Sequence, residues 1–180
     1  RHPFIKKDGG IYLKKRFKII NKLIKSPYII PSILRNYFTL LILRKKVLRN
    51  LQLAITYDCQ YHCSLCASRD LKKDNRFLTI EQIGKITKEA KSLGCINVNL
   101  TGGEPLLRQE LDRIIKIISG NGLMVGLITN GKFLERDLLK RLKANGLTQI
   151  AISIHGDEEY HDAFTGIKGA YRKAVQSLEI

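Results

Sequence analysis

The chain has 180 residues, 44% of them hydrophobic, a formal charge of +16 and four cysteines. That much apolar material predicts one sizeable core, and the sequence shows no signal-peptide pattern of charged start, apolar run and small-residue cleavage site. Three of the four cysteines fall within eight residues, which argues against a disulfide framework and for metal binding in a reducing compartment, so the expected location is the cytoplasm.

The charge is unevenly spread. Residues 1–50 hold fourteen Lys and Arg against one acid, Asp8, whereas residues 51–180 hold eighteen against fifteen. The basic character therefore belongs to an N-terminal extension over 1–50, and residues 51–180 read as a near-neutral domain. Within the extension, IYLKKRFKIINKLIK (11–25) sets Ile11, Phe17, Ile20 and Ile24 near one helix face. Pro27 and Pro31 interrupt it, and SILRNYFTLLILRKKVL (32–48) predicts a second helix with Ser32 as N-cap. Arg35 and Asn36 cut its apolar run far short of the ~20 residues that span a bilayer. A nucleic-acid patch is not expected, because the apolar positions are regular and no such motif is present. A packed helical cap is the first reading of the extension, and peripheral contact with a membrane surface the second.

From residue 51 a rhythm begins. LQLAITY (51–57) reads as a buried strand, followed by the cysteine loop. Thr79-Ile-Glu-Gln82 forms a capping box for a helix to about Leu93, with Gly94 ending it. CINVNL (95–100) is the second strand and 108–118 the second helix of the domain. LMVGLIT (123–129) and TQIAISI (148–154) are the third and fourth strands, with helices over 134–145 and 169–179. Strands of β-branched, mostly uncharged residues alternating with helices predict an α/β fold with a parallel sheet.

In such folds the working residues lie in loops after the strands' C-terminal ends. Those loops here carry the three cysteines, TGGEP (101–105), TNG (129–131) and SIHG (153–156). All four stretches are thus predicted on one rim.

Cys59, Cys63 and Cys66 offer three thiolates and no fourth nearby. A structural zinc would need His62 or Cys95 to close it. His62 sits beside Cys63 in a tight loop, and Cys95 begins a strand at the opposite end of the sheet, where it reads as a small buried hydrophobe. An iron–sulfur cluster is the sharper reading, because a cubane held by three cysteines keeps one iron open to a ligand.

C-x3-C-x2-C after a first strand, with GGEP after the second, resembles the radical S-adenosylmethionine (radical SAM) superfamily, over the first four βα units of that family's partial barrel. The resemblance implies that Cys59, Cys63 and Cys66 bind a [4Fe–4S] cluster. It implies that S-adenosylmethionine fills the open position through its amino and carboxylate groups. The reduced cluster then releases a 5′-deoxyadenosyl radical that takes hydrogen from substrate, with an electron donor such as flavodoxin or ferredoxin. On this reading Gly102 and Gly103 admit close backbone approach. Glu104 accepts from the methionine ammonium, and Pro105 stiffens the turn. Leu65 occupies the place of an aromatic near adenine and keeps apolar packing without ring stacking.

Ser153 ends the fourth strand, where relatives place a polar side chain near the ligand; a strand-end hydroxyl satisfied by backbone is the alternative. Asn130 with Gly131 sits at a recurrent family position that is often only a turn. His155 stands where many relatives carry aspartate, and either faces substrate, carries a proton or is a loop histidine satisfied by backbone. The segment 160–179 resembles members that modify peptides or proteins, often with a C-terminal auxiliary-cluster domain, and also members of cofactor biosynthesis. A start without methionine and a stop at Ile180 inside a helical pattern lead us to expect a piece of a longer chain, truncated after about four βα units. The reading from a different class is a non-catalytic zinc- or iron–sulfur-binding module.

Overall fold

The structure is a computed structural model that describes residues 27–68 and 77–180. The helix expected over 11–25 lies outside the described residues. The chain divides into two units, Arg1–Lys45 and Lys46–Ile180.

In the first unit, a 3₁₀ turn over Pro27–Ile29 leads into helix α1, Ile30–Leu41. Ser32 is not its N-cap. Ile29 holds that position without a side-chain bond, and Ser32 is buried inside the helix. The reason is Pro31, whose missing N–H costs nothing in a first turn, so the proline starts the helix instead of delimiting it. The helix also ends earlier than the sequence suggests, at Leu41, and Arg44 just beyond takes a left-handed φ of 51° that breaks helical continuation. Leu34, Tyr37, Phe38 and Leu41 are exposed along α1.

The second unit alternates strands and helices as expected. Its strands are β1 (Asn50–Thr56), β2 (Asn97–Gly102), β3 (Met124–Thr129) and β4 (Leu147–Ile152). They form one parallel sheet in the order β1-β2-β3-β4. The connecting helices are α2 (Ile80–Ser92), α3 (Leu111–Gly120) and α4 (Arg136–Ala144), and after β4 come α5 (Glu158–Thr165) and α6 (Ala170–Leu178). The Thr79 capping box forms, with Thr79 Oγ1 accepting from the Gln82 N–H and Gln82 Oε1 accepting from the Thr79 N–H.

Several boundaries shift by a few residues, β4 ending at Ile152 just before Ser153, and two of the shifts have a clear local cause. The Cys95 N–H donates to the Ala90 carbonyl and so closes the end of α2, which delays β2 to Asn97. The Pro105–Leu107 segment forms a separate 3₁₀ turn, which delays α3 to Leu111.

Alternation along the strands gives the sheet two unlike faces. Leu53, Ile55, Val98, Leu100, Val125 and Leu127 join the buried core with Ile83, Ile114, Ile118 and Leu142 of α2, α3 and α4. On the other face Gln149 Nε2 donates to Asn97 Oδ1 at 2.9 Å, and Asn97 Nδ2 donates to Asn99 Oδ1 at 3.0 Å. Gly126 lies between them, and a Cβ there would collide with the side chains of Asn99 and Gln149. The apolar face anchors the helices. The amide-lined face leaves the C-terminal ends of the strands free to carry chemistry.

Candidate active site

Residues from all four predicted stretches line one cavity. Cys59, Cys63 and Cys66 line it from the loop after β1, Gly102 and Gly103 from the end of β2, and Asn130 from the loop after β3. Ser153 and His155 add the loop after β4.

The cysteine loop and the glycine loop are joined by backbone. The Gly103 N–H donates to the Thr56 carbonyl at 2.8 Å, and the Glu104 N–H to the Asp58 carbonyl at 2.7 Å. These bonds continue the β1–β2 pairing past a register shift between Ala54 and Thr56. A Cβ on Gly102 would collide with the Thr56 carbonyl, and one on Gly103 with the Asp58 and Tyr57 carbonyls. Gly102 also takes a φ of 136°, which side chains disfavour. The two glycines therefore first serve to lay the cysteine loop against the end of β2. Bare backbone at the cavity wall is the consequence.

Glu104 lies behind that wall and is fully buried. Its Oε1 accepts from the Leu106 N–H at 3.0 Å and from Thr129 Oγ1 at 2.7 Å, and its Oε2 accepts from the Asn130 N–H at 2.9 Å. Burial holds its carboxyl above the usual carboxylate range, against the three donors that pull it down. Glu104 thus ties the TGGEP loop to the TNG loop, while the buried Pro105 opens the 3₁₀ turn that Glu104 caps. Asn130 extends the network. Its Oδ1 accepts from Gln60 Nε2 at 3.0 Å and from the Lys132 N–H at 2.9 Å, and its Nδ2 lies 4.0 Å from Cys59 Sγ.

None of the four cysteines is in a disulfide, and the three loop thiols are half-buried. Burial pushes the Cys59 thiol up, with Glu104 and Cys66 acting in the same sense against the Tyr61 N–H that lowers it. Burial is the main cause of the raised thiol, and the negative neighbours that add to it would be offset by a bound cation, which reverses the local sign. Among the described residues no group of three or more His, Cys, Asp or Glu side chains is arranged to hold a single metal ion. A cubane makes a different demand, because each thiolate takes its own iron around a shared hollow, and thiolates are its usual ligands. Three thiols on one cavity wall fit that demand. Cys95 is fully buried, with Sγ 3.2 Å from the Asn97 carbonyl at the start of β2, the end opposite the cavity. His62 is exposed, and its N–H donates to the Thr165 carbonyl.

Leu65 is 83% exposed on the cysteine loop. The Ser153 N–H donates to the Thr129 carbonyl at 2.9 Å, which brings its side chain to the cavity. The His155 ring rests on Phe164 at 4.2 Å and near His161 at 5.7 Å, and its backbone N–H donates to His161 Nδ1 at 3.0 Å.

Helix α5 is absent from the sequence reading, and with it two cavity residues, His161 and Thr165. Its C-terminal carbonyls, Phe164 and Thr165, accept from the Ser64 and His62 N–H groups, so the cysteine loop caps the helix. Asp157 caps its N-terminus through the Tyr160 N–H, and Gly166 ends it at a φ of 70°. Asp157 followed by Glu158 and Glu159, then Gly166, is the start-and-stop signal that could have found it.

Residues 53–180 match the Radical SAM superfamily. A probable GTP 3′,8-cyclase of Pyrobaculum aerophilum is 37% identical over 134 residues, covering 73% of this chain and 43% of that protein. A PqqA peptide cyclase of Bradyrhizobium diazoefficiens is 33% identical over 126 residues, covering 69% of this chain and 33% of that protein. The chain thus spans less than half the length of these curated relatives. In fold it resembles Streptococcus suis SuiB bound to S-adenosylmethionine, with a TM-score of 0.63 at 16% identity over 97% of this chain and 37% of that one. It also resembles anSMEcpe with bound AdoMet, with a TM-score of 0.60 at 20% identity over 74% of this chain and 40% of that one. With the cysteine triplet and the glycine loop meeting in one cavity inside the matched region, the chain belongs to the radical SAM superfamily of enzymes.

Proposed function

We propose that residues 51–180 are the N-terminal part of a radical SAM catalytic core, with Cys59, Cys63 and Cys66 holding a [4Fe–4S] cluster and S-adenosylmethionine seated beside it. The carrying observation is that the three thiols, the Gly102–Gly103 backbone and Ser153 line one cavity at the C-terminal end of a parallel sheet. When bound and reduced by an external donor such as flavodoxin or ferredoxin, the cluster supplies the electron that cleaves S-adenosylmethionine into methionine and a 5′-deoxyadenosyl radical, which takes hydrogen from substrate.

The chain's own residues orient and enclose. The glycine backbone forms the wall against which the methionyl end rests. A carboxylate accepts from about four directions, and three at Glu104 are taken; the fourth is the one assigned to the ligand's ammonium, which reaches it only if the wall that buries Glu104 gives way. Pro105 fixes the turn that holds Glu104 in place. Ser153 offers a hydroxyl to the ligand from the cavity wall, whereas Leu65, exposed on the cysteine loop and outside the cavity lining, covers adenine only from the edge of the site. Asn130 and His155 lie on the cavity wall facing substrate.

The substrate reading is a peptide or protein. It is supported by the resemblance of 160–179 to peptide-modifying members, by the PqqA peptide cyclase among the relatives, and by the SuiB structure solved with precursor peptide SuiA. The GTP 3′,8-cyclases support a nucleotide as the second reading.

The test is anaerobic reconstitution followed by turnover. About four iron and four sulfide per chain are expected, and the triple alanine variant at Cys59, Cys63 and Cys66 should carry almost none. With S-adenosylmethionine and dithionite, the protein in its full natural length should release 5′-deoxyadenosine and methionine. Zinc in place of iron, with no 5′-deoxyadenosine, would favour the non-catalytic module.

A further inference from the structure

His161 is 1% exposed, lines the cysteine cavity, and has no acceptor for its Nε2. Its tautomer is set by its neighbour. The His155 backbone N–H donates to Nδ1 at 3.0 Å, so Nδ1 carries the lone pair and Nε2 carries the proton. Burial, and the nearby His155, hold the ring below the usual histidine range and keep it neutral in that form. Its place is fixed from several sides. The ring stacks near His155 at 5.7 Å and meets the edge of Tyr171 at 6.0 Å, and the Thr165 hydroxyl donates to the His161 carbonyl at 2.9 Å. One residue on, Asp162 anchors the turn into α6 by accepting from the Gly169 and Tyr171 N–H groups.

Buried donors nearly always find an acceptor, and one left without forfeits the hydrogen bonds it had in water. His161 lines a cavity shared with three thiols, so this buried N–H lies where an acceptor that arrives with the cavity's contents can satisfy it. The chemistry of those contents narrows the class. A cluster brings sulfide and thiolate sulfur, and an amino-acid ligand beside it brings a carboxylate. Both are anionic acceptors.

We propose that His161 is a binding and positioning residue whose Nε2–H donates to an anionic acceptor held in the cysteine cavity, either the ligand's carboxylate or a cluster sulfur. The inference rests on the cluster-and-cofactor reading of that cavity. The donor is neutral, so it orients the anion without adding charge, and α5 carries it to the site from the element that the cysteine loop itself caps.

The test uses two complementary variants of the reconstituted protein in its full natural length. His161→Asn keeps an acceptor near the Nδ1 position for the His155 N–H and removes the Nε2–H. His161→Gln reaches further and restores an amide N–H near Nε2. Iron content and thermal melting confirm that each variant is loaded and folded. S-adenosylmethionine affinity is then measured by calorimetry, and the cluster's midpoint potential by redox titration without the cofactor. If the acceptor is the carboxylate, His161→Asn binds S-adenosylmethionine about ten- to a hundredfold more weakly, the potential is unchanged, and His161→Gln recovers much of the affinity. If the acceptor is a cluster sulfur, His161→Asn shifts the potential downward, because a donor to sulfur favours the reduced, more negative cluster. A wild-type protein that takes up no iron, or binds no S-adenosylmethionine, would overturn the underlying reading. A wild type that binds both, with His161→Asn unchanged in affinity and potential, would overturn this inference alone.

Discussion

Replacing Glu104 by alanine should unfasten two loops at once. In the wild type its carboxylate collects the Leu106 N–H, the Asn130 N–H and the Thr129 hydroxyl, and none of it reaches solvent. The hydroxyl can turn to another acceptor. The two backbone N–H groups cannot, and each buried donor left unmatched costs roughly 1–3 kcal/mol. Burying an ionisable carboxyl is itself unfavourable, as its raised pKa records, so removal returns part of that loss. A net destabilisation of about 3 kcal/mol follows, which for a chain of this size lowers the melting temperature by about 6–12 °C. Glu104→Gln keeps one acceptor oxygen but turns an amide donor toward another donor, and should cost about half as much. Thermal melts of the cluster-free protein, followed by circular dichroism, measure both without any contribution from ligand. If Glu104→Ala melted within about 2 °C of wild type, Glu104 would not be the tie between these loops.

Other substitutions separate the parts of the account. Gly103→Ala sets a Cβ against the Asp58 and Tyr57 carbonyls, so the cysteine loop must shift and iron uptake should fall sharply. Gly84→Ala in α2, where a Cβ meets only Ile117 at 3.5 Å, should be stabilising by up to ~1 kcal/mol, with iron content unchanged. Cys95→Ala should also retain full iron, because that thiol is buried at the far end of β2; iron loss equal to that of Cys59→Ala would reassign the ligand set. Asp162 is held below the usual carboxylate range by the Tyr171 and Gly169 N–H groups. Its contribution is therefore present above the unfolded-state pKa and fades as pH falls through the lower folded value. The melting difference between wild type and Asp162→Asn should be steady from neutral pH down to about 4 and vanish in stronger acid.

The strands were legible because each is a short, uncharged run rich in β-branched and aliphatic residues bounded by glycine or polar turns, and Val98, Leu100, Val125 and Leu127 indeed fill the core. The shared rim followed from topology alone, since every informative stretch came after a strand. Helix α5 was not legible by periodicity. Its buried positions are His161 and Thr165, and its bulkiest apolar-looking side chain, Tyr160, is 59% exposed, so no apolar stripe marks it. Missing the helix concealed both residues that it brings to the cavity. Sequence chemistry also identified Glu104 as a rim carboxylate without revealing its partners, because Thr129 and Asn130 approach it only through pairing of β2 with β3. Ser32 was misread because the same residue type caps a helix or sits buried within one, according to where Pro31 falls in the first turn.

The central claim is that the corner left open by three cysteines is filled by S-adenosylmethionine. The most direct measurement is the electron paramagnetic resonance spectrum of the reduced, reconstituted cluster, recorded with and without saturating S-adenosylmethionine. Ligation of the open iron by the amino and carboxylate groups should change the g-values of the signal. A well-reduced cluster whose spectrum is the same in both samples would mean that something else completes the site.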